Sequence, residues 1–258
     1  MARPKSEFLK GFGKAWEVFQ VIVNMVLDLG GNDDDLSALL NDSDRVKRIA
    51  ELIVEKPKAE ALVEYFAPIP DAEVPAHHQP TLAKYRTLAT EWGVPATTAV
   101  CYRVKAGFTI RDHAPKSGPC YKQFTYLKDW NFPDEPTRDC IVFWIPCLVP
   151  ESTQKTRDEQ LTLLGEIRTH LELPEHHLAN LGKVALNAGL ILAHYKATDE
   201  RIPLNTRWIR TDTCSADGYR LRLGDFDGTG LAGDDWDSDG ERDGFLGVFA
   251  LGVEELGR

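Results

Sequence analysis

Near the C-terminus, Asp235-Trp-Asp237-Ser-Asp239-Gly240 sets carboxylates at alternate positions and closes them with a glycine. That spacing opens a calcium loop of the EF-hand kind, in which oxygens from alternate residues converge on one ion and the glycine permits a sharp turn. Glu241 could add its backbone carbonyl and Asp243 a direct or water-mediated ligand. Asp235, Asp237, Asp239, Glu241 and Asp243 are therefore the candidate metal ligands, for Ca2+ or Mg2+. Leu246 stands where a bidentate glutamate belongs, so any such site is weak unless Asp225, Asp227 or Asp234 folds back to complete the shell. The competing reading is a solvated hairpin loop, because Asp and Gly also favour turns.

A second pattern lies just upstream. Arg220 and Arg222 alternate with Tyr219, Leu221 and Leu223, which gives one strand an arginine face and an apolar face, and Arg207 and Arg210 sit on a neighbouring strand candidate. Arg210, Arg220 and Arg222 could receive a phosphate-bearing ligand or, with Trp208 and Tyr219, single-stranded nucleic acid. They could equally form cross-strand pairs with Asp212 or the acidic run.

Other reactive side chains point less clearly to chemistry. His170, His176 and His177 are close in sequence and His194 ends the following helix, but no His-x-x-x-His pair shares a helix face, so structural roles are expected. His113 with Asp112 and Cys120 or Cys140 would make a thiol and its base, yet nothing in their spacing selects them. Cys101, Cys120, Cys140, Cys147 and Cys214 are odd in number and contain no Cys-x-x-Cys pair, which argues against a disulfide framework or zinc ribbon and for a reducing cytoplasm. Phosphate loops, dinucleotide fingerprints and Gly-x-Ser-x-Gly elbows are absent from the sequence.

These residues must be positioned by the elements around them. Residues 1–56 read as a helical N-terminal unit: the apolar run Ala15–Leu29 is interrupted by Glu17, Gln20, Asn24 and Asp28 at helical spacing, and Gly30-Gly31 stops it. It reads as a packing helix and not as a membrane span. Residues 57–98 read as a proline-rich connection, with an ambiguous stretch at Ala61–Phe66, followed by a helix over Thr81–Trp92. Residues 99–258 read as an α+β domain. Its strands are expected at Val100–Lys105, Phe108–Arg111, Gln123–Leu127, Cys140–Ile145, Arg207–Asp212, Tyr219–Leu223 and Phe245–Leu251. Its helices are expected at Thr156–Leu171 and from Glu175 to about Tyr195, and residues 225–244 form an acidic loop. Unbroken hydrophobicity at Cys140–Ile145 predicts a strand covered on both faces. Ala179, Gly182, Ala185 and Gly189 place small residues along the second helix, where another element can approach closely. The fold class is α+β, a helical unit followed by a mainly antiparallel sheet with packed helices.

Charge is uneven. From Leu223 onward there are ten acidic and two basic residues, so most of the overall net charge of −10 resides in the tail. Such a field disfavours general nucleic-acid binding and suits cations or basic partners.

Ile202-Pro-Leu-Asn-Thr-Arg-Trp-Ile-Arg-Thr-Asp-Thr213, Asp217-Gly-Tyr-Arg-Leu-Arg-Leu-Gly-Asp-Phe-Asp-Gly228 and Gly247-Val-Phe-Ala-Leu-Gly252 together resemble the C-terminal part of uncharacterised bacterial proteins with no assigned activity. The resemblance implies a bacterial origin and carries over no site residues. The expectation is therefore a cytoplasmic, non-enzymatic protein that binds a protein or small-molecule partner and carries a weak cation loop. The alternatives are a divalent-cation-dependent hydrolase of phosphorylated or nucleotide-like substrates, in which Asp235, Asp237 and Asp239 hold the ion, and single-stranded nucleic-acid binding through the arginine face.

Overall fold

The computed structural model describes Asn32 and residues 64–256, apart from the side chains of residues 235–237. The helices expected within residues 1–56 lie outside the described residues. In chain order the described elements are β1 (Phe66–Pro68), α1 (Gln79–Glu91), β2 (Val100–Val104), α2 (Ala114–Ser117), β3 (Cys140–Trp144), α3 (Arg157–His170), α4 (Val184–Thr198), β4 (Trp208–Cys214), β5 (Arg220–Asp227), β6 (Gly230–Asp237), β7 (Leu246–Gly247) and β8 (Leu251–Glu255). The protein is α+β, as the sequence predicts, but its strands form two sheets instead of one. The first is antiparallel in the order β1-β2-β3-β8; the second, in the order β6-β5-β4-β7, is antiparallel except where β7 runs parallel to β4.

Burial explains the layering. Every residue of β3 is buried, as expected for a strand covered on both faces. Tyr102, Val142 and Trp144 face a core shared with α4, whereas Cys101, Ile141 and Phe143 face Leu82, Tyr85 and Leu88 of α1 and Leu164 of α3. Nine residues of α4 are buried, because the helix contacts β1 of the first sheet and β4 and β5 of the second. A helix apolar all round is what such a position requires. Among the described residues no helix is long and apolar enough to cross a membrane.

Several expected boundaries differ, each for a traceable reason. Within the described part of the proline-rich segment, Phe66–Pro68 pairs with β2 as an edge strand, where Pro68 is tolerated, and α1 packs on β3. Phe108–Arg111 is not a strand. Thr137 Oγ1 and the Asp134 carboxylate accept from the backbone N–H groups of Phe108, Ile110 and Arg111, which leaves no ladder to join. Gln123–Leu127 lies in a 3₁₀ segment kinked at Lys122–Phe124, where φ is 44–53°, a left-handed backbone that breaks any strand, with Phe124 and Leu127 buried. Residues 175–183 are not helical, since Leu178 N–H donates to Leu251 O at 2.9 Å and Leu181 N–H to Asp212 Oδ2 at 2.7 Å. Phe245–Leu251 divides into β7 and β8, which belong to different sheets.

Candidate functional site

The acidic run 225–244 is not one loop. Its beginning belongs to β5, a tight turn follows, and Gly230–Asp237 is strand β6, paired with β5 as far as Arg220 opposite Asp237. Asp237 is thus paired in the sheet and Asp235 lies in the irregular stretch of β6 between Asp234 and Asp237; their side chains lie outside the described residues. The remaining candidate ligands meet arginines. Arg220 clasps Asp239 through Nε and Nη2, and Arg222 reaches Asp234 Oδ2 at 2.7 Å and Asp243 Oδ2 at 3.5 Å while lying 4.9 Å over the Trp208 ring. Glu241 offers its carbonyl, at 3.1 Å, to the buried Arg210. Arg220 holds the Asp239 carboxyl below its ordinary range, with Arg157 and Arg210 adding to the effect. Candidate metal and ligand residues are therefore brought together, as partners of one another in a latch that ties segment 238–245 to β4 and β5. A cation entering here would compete with guanidinium groups already in place.

The thiol–imidazole pair does not assemble. His113 Nδ1 lies 3.0 Å from Thr109 Oγ1 and its Nε2 3.4 Å from Tyr65 Oη, whereas Cys120 donates to the Ala114 carbonyl. Burial pushes the Cys101 and Cys140 thiols up to about 12, far from nucleophilic thiolates.

Two further sites join residues too distant in sequence for spacing to reveal. The first is a cavity of about 300 Å³ between the loop before β3, the start of α4 and the edge of β8. Ala185, Leu186 and Val253 supply apolar lining, and Glu135, Arg138, Lys183, Asp212 and Glu255 supply charge. Lys183 pairs with Glu135 at 3.2 Å and Arg138 with Glu255 at 3.3 Å. Lys183 is also the N-cap residue of α4 and does not cap it with its own side chain; Val184 N–H donates to Thr213 Oγ1 at 3.0 Å, and the other first-turn amides carry the partial positive charge of a helix N-terminus.

The second site lies on the opposite face of the first sheet. Glu254, on the edge strand β8, places Oε1 3.2 Å from His177 Nε2 and Oε2 3.0 Å from His78 Nδ1. Tyr85 Oη lies 3.4 Å from His177 Nδ1. His78 caps the start of α1 and Tyr85 lies on its buried face, so one helix supplies both flanking groups. Phe143 fills the space between them, with ring centroids 5.6–5.7 Å from those of His78, Tyr85 and His177. A Cβ on Gly252 would lie 2.5 Å from His177 Nδ1, so only glycine leaves room for the imidazole. Glu254 stands beside Glu255 at the end of β8 and so carried no distinguishing sequence signal for this cluster; His78 and Tyr85 gave none either.

His177 is fully buried, and burial, reinforced by His176, lowers its pKa from 6.5 to about 4 against the opposing pull of Glu254. The unfolded chain therefore binds an extra proton between pH 6.5 and 4, so stability falls as pH drops through that window. The expected loss is on the order of 2–3 kcal/mol. His78 and His194, also lowered by burial, act in the same sense. Thermal melts from pH 7 to pH 4 should show a shallower decline in His177→Gln than in the parent; parallel curves would refute this account.

Comparison of the chain with protein-family models, with curated proteins and with solved structures finds no match, so what the protein does has to be read from these sites.

Proposed function

We propose that this protein binds a small zwitterionic or anionic molecule, without acting on it, in the cavity over the N-terminal end of α4. The observation that carries this reading is the cavity, where charge of both signs surrounds an apolar floor. Its volume stands at the lower end of the range for small-molecule sites, which suits a ligand the size of an amino acid or small dicarboxylate. Exposed ion pairs contribute little to stability, so Lys183 and Arg138 can exchange Glu135 and Glu255 for a ligand carboxylate at small cost. The remaining first-turn amides of α4 favour the same negative group, and Glu255, once released by Arg138, is placed to receive an ammonium. The five free cysteines agree with a cytoplasmic setting for such a protein.

Calorimetry and thermal-shift measurements with amino acids, dicarboxylates and sugar phosphates test the proposal. At least one class should bind saturably, and Leu186→Trp, which fills the floor from a partly exposed position, should abolish binding while leaving the unliganded melting temperature nearly unchanged. Absence of binding across the panel, or binding indifferent to both Leu186→Trp and Lys183→Glu, would exclude it.

A further inference from the structure

We infer that His176, His177 and Glu254 form a site for a first-row divalent metal, of which zinc is the best fit. One ligand atom from each of the three lies within 4.8 Å of the other two. Two imidazoles and a carboxylate are the donor set that zinc and its neighbours favour, whereas calcium and magnesium take oxygen ligands.

Proximity alone would not separate a metal site from a buried hydrogen-bond network; the supporting shell does. A ligating histidine usually has its second nitrogen held by an oxygen partner, and a ligating carboxylate has its second oxygen held in turn. Both conditions are met from α1. Tyr85 Oη stands 3.4 Å from His177 Nδ1, and His78 Nδ1 stands 3.0 Å from Glu254 Oε2. Without metal, His177 Nε2–H donates to Glu254 Oε1 and Nδ1 accepts from the tyrosine hydroxyl. With metal on Nε2, the imidazole proton moves to Nδ1 and the tyrosine oxygen accepts it. His177 therefore stays neutral in both states and keeps a partner in both.

Solvent access completes the argument. His176 is exposed, Glu254 partly so and His177 buried, so the site faces water on one side and the core on the other. Three protein ligands with one open position are the arrangement of zinc sites that bind an exogenous group, as distinct from closed structural sites. The site lies across the first sheet from the cavity and does not depend on it.

Zinc titration of the full chain against a chromophoric chelator, with cobalt substitution to report geometry, tests the inference. The parent should take up one equivalent of zinc, and its cobalt form should show visible d–d absorption. His176→Ala, at an exposed position that leaves the core untouched, and Glu254→Gln should each weaken zinc binding by more than about tenfold, and Tyr85→Phe by about tenfold. Asp239→Asn should leave it unchanged. Failure of the parent to bind zinc saturably, or equal affinity in His176→Ala and Glu254→Gln, would overturn the assignment.

Discussion

Replacing Arg210 with alanine is expected to destabilise the protein by about 3–5 kcal/mol, because it removes the donor around which the C-terminal latch is organised. Arg210 is 1% exposed and lies on β4 in the middle of the second sheet. Its Nη1 donates to Gln160 Oε1 at 2.7 Å and to the Lys155 carbonyl at 3.4 Å, and its Nη2 donates to the Glu241 carbonyl at 3.1 Å. One planar guanidinium thus joins α3, the segment leading into it and segment 238–245. Alanine would leave the Gln160 oxygen buried without its donor, take a donor from the part-buried Lys155 and Glu241 carbonyls, and open a void beside them. Arg210→Lys should recover little, since a single ammonium cannot reproduce the divergent fork. Melting temperature should fall by roughly 2–4 °C for each kcal/mol lost. Limited proteolysis should begin within 238–245, which would then be tied to other elements through the backbone by Arg157 N–H to Asp239 O, Gln154 N–H to Asp243 O and Trp208 N–H to Phe245 O. A double-mutant cycle with Gln160→Ala should be strongly non-additive, as expected for groups that share one hydrogen bond. A loss below about 0.5 kcal/mol, the scale of ordinary surface substitutions, would show that the latch is held otherwise.

The same residues show what a single sequence discloses. Alternation placed Arg220 and Arg222 together on one face of a strand, and the structure bears out that strand as β5. Alternation could not decide whether the guanidinium groups meet a ligand or carboxylates from further along the chain. That choice depends on the return of β6 and segment 238–245 against β5, which follows from the register of a hairpin and not from composition. Covered strands and long helices were legible for a related reason: β3, α1 and α3 carry their burial pattern within one contiguous segment. Phe108–Arg111 and residues 175–183 were misread because side chains and strand ends elsewhere satisfy their backbone, and spacing holds no record of those partners. The His78–Glu254–His177 cluster was hidden on the same grounds, with His176 and His177 in plain view and the glutamate that unites them on a strand much later in the chain.

Gly189→Ala tests a feature that was legible, the run of small residues along α4. Helix propensity alone favours the change, since alanine in a helix interior is better than glycine by about 1 kcal/mol. The structure predicts the opposite sign. A Cβ at position 189 would lie 2.7 Å from Phe66 Cε1 and nearer still to Cζ and Cε2 of the same ring, in a core where Phe66 is itself wedged edge-on against Phe108 at a centroid distance of 5.0 Å. Phe66 belongs to edge strand β1, so relief requires displacing that strand from β2 or shifting a helix held between two sheets. Overpacking of this kind costs about 1–3 kcal/mol, and the absence of room on either side puts Gly189→Ala toward the upper end or beyond it. Truncating the opposing ring should compensate: Phe66→Leu alone loses packing, but in the Gly189→Ala background it makes space for the new methyl group, so the double variant should be more stable than the sum of the single changes predicts. Chemical denaturation of the four proteins would measure this directly. Simple additivity would mean that α4 and β1 do not approach through glycine, and a stabilising Gly189→Ala would mean that helix propensity outweighs the contact on which the two-sheet core is built.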